Sequence, residues 1–381
     1  MLPQDYDHPF EGVFYGAINN EHRQTDVGIF AEYTYNPNDK LTLLIGMRGD
    51  LTIRQYAYNE YPGGTYLYRV QPTPRFNIRY APWAWWTLRA SVGMGYRTPD
   101  VLTDNAQYMP TGRWFTNSFN QTSYMADVRC PNIESALNTG VTTTFYIPIA
   151  DRELQLTGEY YYTRFFDCLV SDTETAERLL LYNLSDIVGA QAFTHTWQVE
   201  ATMEVLRGWT WTLAYRQNDS RQTVFSPSAE KFVTRERPLQ NKFKALITTS
   251  YQTPLKKWQF DLTAQFNGPG RMPEGYAVPA GAEKQYFTRE LAQTTTDGQQ
   301  ITTVMTYHRW HPQLLAQITK YWRTCSLYVG AENMTNFMQH QPIIGTNAPF
   351  SSAFDAASVW APTSGWKIYV GFRWNLQREE E

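Results

Sequence analysis

The sequence predicts an all-β fold, an antiparallel transmembrane β-barrel, on three observations. Apolar and polar residues alternate with a period of two, most cleanly from Gly365 to Leu376. There Trp366, Ile368, Val370, Phe372, Trp374 and Leu376 fall on one face and Lys367, Tyr369, Gly371, Arg373 and Asn375 on the other. The chain is polar on average, with a mean hydropathy of −0.50, yet 15% of its residues are aromatic, with 26 Tyr and 13 Trp. A wet lumen, a lipid-facing band and aromatic girdles need that mixture. Finally, short connections alternate with long ones along the chain, as in a meander with short periplasmic turns and long extracellular loops.

Residues 1–23 form an N-terminal segment with Phe10 to Asn19 as a candidate strand. Thr25 to Tyr35 reads as a strand with Val27, Ile29, Ala31, Tyr33 and Tyr35 on one face, ended by the turn Asn36-Pro-Asn-Asp-Lys40. Leu41 to Ile53 sets Leu43, Ile45, Met47 and Leu51 opposite Arg48 and Asp50. Pro72 to Tyr80 and Trp85 to Arg97 flank a turn at Pro82, with Trp86, Leu88, Val92, Met94 and Tyr96 outward and Thr87, Arg89, Ser91 and Arg97 inward. Ser135 to Ile147 and Glu153 to Val170 meet near Asp151. Ala192 to Leu206 turns at Arg207-Gly208 into Trp209 to Asn218, and Gln240 to Thr253 turns at 254–257 into a strand from Trp258 through Phe266. Pro312 to Tyr321 turns at 322–323 into Cys325 to Asn333, and Gly365 to Leu376 closes the series. The long loops are then 54–71, 98–134, 171–190, 221–238, 268–310 and 334–363. This gives about 13–14 strands, each long enough for the roughly 9–11 residues that a tilted strand needs to cross hydrocarbon.

Other classes are excluded. No run of apolar residues is long enough for a transmembrane helix. A net charge of −3 without a basic cluster gives nucleic acid no footprint. Cys130, Cys168 and Cys325 are too scattered for a disulfide framework or a zinc site. No Gly-x-Ser-x-Gly, His-Glu-x-x-His or phosphate-binding glycine loop is present, so no enzyme activity and no cofactor are expected. His308-Arg-Trp-His311 has a metal-like spacing. On a strand, positions three apart face opposite sides and no third ligand is near, so no metal site is expected.

Several stretches resemble a known family. Val27-Gly-Ile-Phe-Ala-Glu-Tyr-Thr-Tyr-Asn-Pro-Asn-Asp-Lys-Leu-Thr-Leu-Leu-Ile-Gly-Met-Arg-Gly-Asp50 is similar to a hairpin of TonB-dependent outer-membrane receptors. So are Pro74-Arg-Phe-Asn-Ile-Arg-Tyr-Ala-Pro82 and Leu88-Arg-Ala-Ser-Val-Gly-Met-Gly-Tyr-Arg-Thr-Pro-Asp100. Leu327-Tyr-Val-Gly-Ala-Glu-Asn-Met-Thr-Asn336 resembles the family's penultimate strand. The resemblance implies a larger barrel, of about 22 strands, around a plug domain. It therefore implies that residues 24–376 are the C-terminal part of such a barrel, without its plug and first strands, followed by a charged tail at 377–381. The N-terminus, Met1-Leu-Pro-Gln-Asp-Tyr-Asp-His8, does not read as a signal peptide, so sequence is expected upstream. The implied function is uptake of a scarce solute, such as a metal-siderophore or cobalamin. The implied partners are outer-membrane lipid and the TonB energy-coupling complex, reached through the plug, in a Gram-negative outer membrane.

Candidate residues follow from position. Arg48, Asp50, Arg89, Arg97, Glu332 and Arg373, with Lys367, face the lumen, where they either solvate the wall or contact a plug. Tyr108, Arg113, Trp114 and Phe115 in one long loop, and His340, Phe350 and Trp360 in another, suit ligand capture or loop packing. The outward Trp86, Trp209, Trp211, Trp366 and Trp374 suit lipid contact or sugar stacking. Two alternative functions stay open, a self-contained porin or apolar-solute channel of 14 strands and a soluble carbohydrate-binding β-protein.

Overall fold

Period-two alternation produces strands throughout the computed structural model, which describes residues 20–58, 61–101, 103–116, 132–349, 351 and 353–375. The candidate strand Phe10 to Asn19, Phe350 and the tail 377–381 lie outside the described residues, as do the side chains of Trp114 and Phe115. In chain order the strands are β1 (Asn20–Asn38), β2 (Leu41–Tyr58), β3 (Tyr61–Trp83), β4 (Trp86–Arg97), β5 (Trp114–Thr116), β6 (Glu134–Ile149) and β7 (Arg152–Asp167). There follow β8 (Leu169–Asp172), β9 (Arg178–Asn183), β10 (Ala192–Leu206), β11 (Trp209–Ser226), β12 (Lys231–Glu236), β13 (Phe243–Gln252) and β14 (Trp258–Asn267). The last are β15 (Gly270–Arg271), β16 (Tyr286–Thr294), β17 (Gln300–His308), β18 (His311–Tyr321), β19 (Cys325–Glu332) and β20 (Lys367–Trp374). No α-helix occurs among the described residues.

One antiparallel sheet forms the wall, in the order β1-β2-β3-β4-β6-β7-β10-β11-β13-β14-β18-β19-β20, with β12 paired to β11 as its fourteenth strand. Neighbours in this order are joined without crossovers, as a meander requires. Among the described residues no ladder joins β1 to β20, so the sheet is open, in keeping with part of a barrel.

The register makes the wall two-faced. Ile29, Tyr33, Ile45, Met47, Trp197, Val199, Leu213, Ile318, Val329, Ile368, Val370 and Phe372 all point to one side and are exposed. A soluble fold would bury such a band, whereas a lipid-facing surface displays it. The other side is polar and bonded across strands, as in Thr144 with Thr157, Thr202 with Thr212 and Ser250 with Asp261. Trp83 and Trp85 stack at 5.2 Å beside the β3–β4 turn, and Trp209, Trp258 and Trp374 stand near the same end of their strands. They line up as a girdle at the short-turn end. On the polar face tyrosines lie over glycines. A Cβ on Gly330 would meet the Tyr369 ring, one on Gly371 the Tyr328 ring, and one on Gly140 the Tyr161 ring. Each glycine leaves the space its cross-strand aromatic occupies.

Within the described residues the predicted strands are present and the short turns fall as expected, but the long loops differ. Residues 54–58 and 61–71 are strand rather than loop. β2 and β3 stay paired up to Tyr58 opposite Tyr61, because the aromatic and β-branched flanks favour continued pairing over an open connection. Residues 221–238 form a hairpin of β11 and β12. Residues 268–310 contain the small sheet β15-β17-β16, and β5, β8 and β9 make another three-stranded sheet. Tyr96, expected outward, places its hydroxyl beside Asp50 and Thr52 on the polar side.

Candidate functional site: inner wall and outer cap

The inner wall orders its charges by strand register. Arg48 lies two residues from Asp50 on β2, hence on the same face, and binds both oxygens of that fully buried carboxylate at 2.9 and 2.7 Å. Asp26 on β1 accepts from Thr52 at 2.6 Å, and Arg75 pairs with Glu32 two strands away. Arg97 holds Glu134 at 2.7 Å and Asp104 at 3.2 Å. Glu332 and Lys367 are cross-strand neighbours, and Arg373 stands opposite Ser326. Arg89 lies directly opposite Arg79, two cations side by side on the wall. The predicted inward residues therefore share one face. Arg48, Asp50 and Arg97 are charge-matched within the wall, while among the described residues Arg89, which is exposed, Glu332, Lys367 and Arg373 make no ion pair.

Beyond the long-loop end of the wall the connections fold into a cap with its own cores. Leu180, Val170, Tyr182, Leu184 and Ala192 form one, and Met272, Tyr276, Ala282, Tyr286 and Trp360 another. Between them lies a buried ionic hub. Both Arg271 and Glu174 are 1% exposed, and the guanidinium grips the two carboxylate oxygens, one at 2.7 Å. Glu174 also accepts from the Glu274 amide at 2.8 Å. Arg235 binds Glu274 at 2.6 Å. Asp172 accepts from the amides of Phe225 at 2.6 Å and Glu174 at 2.9 Å, and from the Tyr182 hydroxyl at 3.3 Å. Burial and then the nearby Glu174 charge push the Asp172 carboxyl up to about 7. The hub ties the β8–β9 hairpin to the β11–β12 hairpin and β15, fixing three long connections relative to one another.

The predicted loop residues lie on this cap. Arg113 is buried, 3.1 Å from Asp355 and with its Nε donating to the Ala176 carbonyl, so its charge joins two loops. Asp355 further caps the amides of Ala357 and Ser358. Tyr108 packs half-buried against Val101, Leu179 and Leu181. Trp360 is buried, stacks on His308 at 4.2 Å and donates from Nε1 to the Tyr286 hydroxyl at 3.0 Å. His340 is exposed, and its amide donates to Gln285 at 2.8 Å. The structure thus brings Arg113 and Trp360 into loop packing and leaves the His340 ring near solvent.

His308 and His311 do not diverge as an unbroken strand would require. Arg309-Trp310 interrupts the pairing, and the two rings sit 6.4 Å apart, both buried. Burial pushes the His308 imidazole down to about 4, so it is neutral near pH 7. Among the described residues no group of three or more His, Cys, Asp or Glu side chains converges on a metal-sized centre.

The hub residues Asp172, Glu174, Arg235, Arg271 and Glu274 were not singled out from sequence. They lie in stretches that read as loops, and a charged residue in a loop gives no sign of burial. The one sequence hint is their setting among apolar and aromatic residues, as in Gly270-Arg-Met-Pro-Glu-Gly-Tyr276.

Comparison with known proteins places this geometry. Residues 3–334 match the family described as TonB dependent receptor-like, beta-barrel. No curated protein matches the chain. Among solved structures it resembles P. aeruginosa FpvA bound to a heterologous pyoverdine, at 13% identity and a TM-score of 0.53, over 94% of this chain and 39% of that one. It resembles the siderophore receptor PiuA from Acinetobacter baumannii at 12% identity and a TM-score of 0.58, over 93% of this chain and 43% of that one. It also resembles the FrpB iron transporter from Neisseria meningitidis at 13% identity and a TM-score of 0.56, over 93% of this chain and 46% of that one. At these identities the likeness concerns the fold. The chain spans less than half the length of each of these structures.

Proposed function

The chain belongs to the TonB-dependent receptor-like β-barrel family, and from that premise we propose that it is the barrel portion of an outer-membrane receptor of a Gram-negative bacterium. The cap captures a scarce solute at the cell surface. The inner wall surrounds a plug, and the TonB complex acts on that plug to let the solute pass. No covalent chemistry is required. The observation that carries the reading is the two-faced wall, apolar outside and hydrogen-bonded inside, within that family. Residues 24–376 constitute the barrel part and 377–381 its charged tail in this reading. A metal-siderophore is the favoured solute class and cobalamin the alternative, supported by the iron and siderophore transport of the structural neighbours. Arg89, Glu332, Lys367 and Arg373 are proposed plug contacts, and His340, with Trp114, Phe115 and Phe350, proposed ligand contacts. A self-contained 14-strand porin would need a β1–β20 ladder, and none is present among the described residues.

The test starts with the intact mass of the native polypeptide recovered from outer membranes. A mass well above 44.2 kDa agrees with a receptor whose plug and further strands accompany this chain. A match to 44.2 kDa would favour the porin. Ferric-siderophore binding by that native protein, weakened by His340→Ala, is the expected second result. Unchanged affinity would remove His340 from the site.

A further inference from the structure

The lipid-facing side of β7, β10 and β11 carries a feature that solute transport does not use. Register sets three cross-strand rows on this face. In the uppermost, Phe193 lies between Arg164 and Arg221. Below it His195 lies between Tyr162 and Asp219, and below that Trp197 lies between Tyr160 and Gln217. The His195 ring is framed by Tyr162 at 4.7 Å and Phe193 at 5.5 Å, and its Nδ1 bonds the Tyr160 hydroxyl at 2.7 Å. Tyr162, Arg164, Gln191, Ala192, Phe193 and His195 line a cavity of about 190 Å³ that opens outward. Arg164 is exposed and has no ion-pair or hydrogen-bond partner among the described residues. Arg221 spends its Nε on Asp219 at 2.8 Å, and its side chain is 44% exposed.

Height along the wall identifies what meets this face. Arg164 stands twelve residues above Arg152, at the short-turn end of β7. At about 3.4 Å per residue and a tilt near 40°, that is roughly 31 Å along the barrel axis. Phe193 stands thirteen residues above Leu206 on β10, roughly 34 Å by the same arithmetic. Between the two levels the outward residues run from Leu154 through Tyr160 to Tyr162 on β7 and from Met203 through Val199 and Trp197 to His195 on β10. Leu154 to Arg164 and Met203 to Phe193 are ten residues each, roughly 26 Å by the same arithmetic, which matches a hydrocarbon band about 25 Å tall. The arginines therefore lie just beyond the hydrocarbon on the long-loop side, where lipid headgroups sit. A lone interfacial arginine is an ordinary anchor. Here two flank one aromatic ring above a cavity, and a guanidinium presents parallel donors to phosphate oxygens.

We propose that Arg164 and Arg221, with the cavity between Phe193 and His195, bind the phosphorylated headgroup of an outer-leaflet lipid. The phosphate sits between the guanidinium groups, the adjoining polar headgroup enters the cavity, and the acyl chains run down the apolar rows. Asp219 orients Arg221 and, with Glu236 opposite it on β12, offsets part of its charge, so the unpaired Arg164 carries the larger share of the phosphate interaction. The inference rests on the membrane-barrel reading above.

The test uses the intact native protein, purified folded in detergent and titrated with lipid A and with its dephosphorylated form. The expected result is preferential binding of lipid A, weakened roughly tenfold for each of Arg164→Ala and Arg221→Ala, with Trp374→Ala at the other end unchanged. Heat-modifiable gel mobility reports whether each variant is folded. Should an alanine variant misfold, Arg164→Lys with Arg221→Lys, which keeps charge without the fork, should retain a weakened preference. Equal binding of both lipids by folded protein would overturn this site alone. Competition by millimolar inorganic phosphate as effective as that by lipid A would overturn it in favour of a plain anion site. Recovery of the native protein solely in the soluble fraction would overturn the membrane reading and this site with it.

Discussion

In the wall, apolar residues are displayed and polar residues are gathered inside. In the cap, apolar residues are buried and ionic groups are buried with them. Ile29 is 80% exposed on β1, whereas Leu179 and Leu181 in the cap are fully buried. Arg48 lies half in water beside its partner, while Arg271 and Glu174 are both sealed from it. The wall depends on its ladders and on an apolar environment for its outer band. The cap behaves as a small water-soluble body with its own core, so a given change should cost each region differently.

The largest separation comes from the hub. Arg271→Met strips Glu174 of its main counter-charge and should cost about 3–5 kcal/mol of cap stability. Rapid protease nicking between residues 171 and 190, with heat-modifiable mobility intact, is the expected outcome. Loss of both together would mean that wall and cap fold as one unit. Next comes the lipid face. Leu213→Arg, near the middle of the apolar band, should cost about 2–4 kcal/mol in reversible unfolding from bilayers. Thr212→Arg, one residue away on the inner face, should cost far less. Equal costs would contradict the assignment of faces. Gly330→Ala is the third. Its Cβ meets the Tyr369 ring, so about 1–3 kcal/mol is expected. Gly158→Ala, whose nearest neighbour would be Thr143 at 3.6 Å, should be nearly neutral by the same unfolding measurement.

A pH dependence confined to the cap separates the two regions in another way. The Asp172 carboxyl, ordinarily near 3.8, is held at about 7 in the folded state. The folded cap therefore binds more protons than the unfolded chain between about pH 4 and pH 7, and its stability falls as pH rises through that window. Hydrogen exchange of the β8–β9 hairpin should quicken across it. Asp172→Asn should flatten that profile, and a profile unchanged by the substitution would assign the titration to another group.

Alternation alone fixed most of the wall. The strands around Val27–Tyr35, Trp209–Asn218 and Lys367–Trp374 were legible because register leaves each side chain one of two faces, and Arg48, Asp50 and Arg89 share the polar face of the wall. Tyr96 escaped that logic because its hydroxyl is drawn to Asp50 and Thr52 near the end of β4, where pairing with β3 has already ended. The cap was not legible. Arg113 and Trp360 looked like surface groups awaiting a ligand. Their burial depends on Asp355 and Tyr286, which lie 242 and 74 residues away in sequence (355 − 113 and 360 − 286). Glu174 and Arg271, which lie 97 residues apart in sequence, carry no local sign of each other. The sequence by itself determined the strand order, the faces and the family likeness, because those follow from neighbouring residues and a repeat of two. Only the tertiary structure decided which loop charges are buried, paired or free, because that depends on long-range contacts no local pattern records.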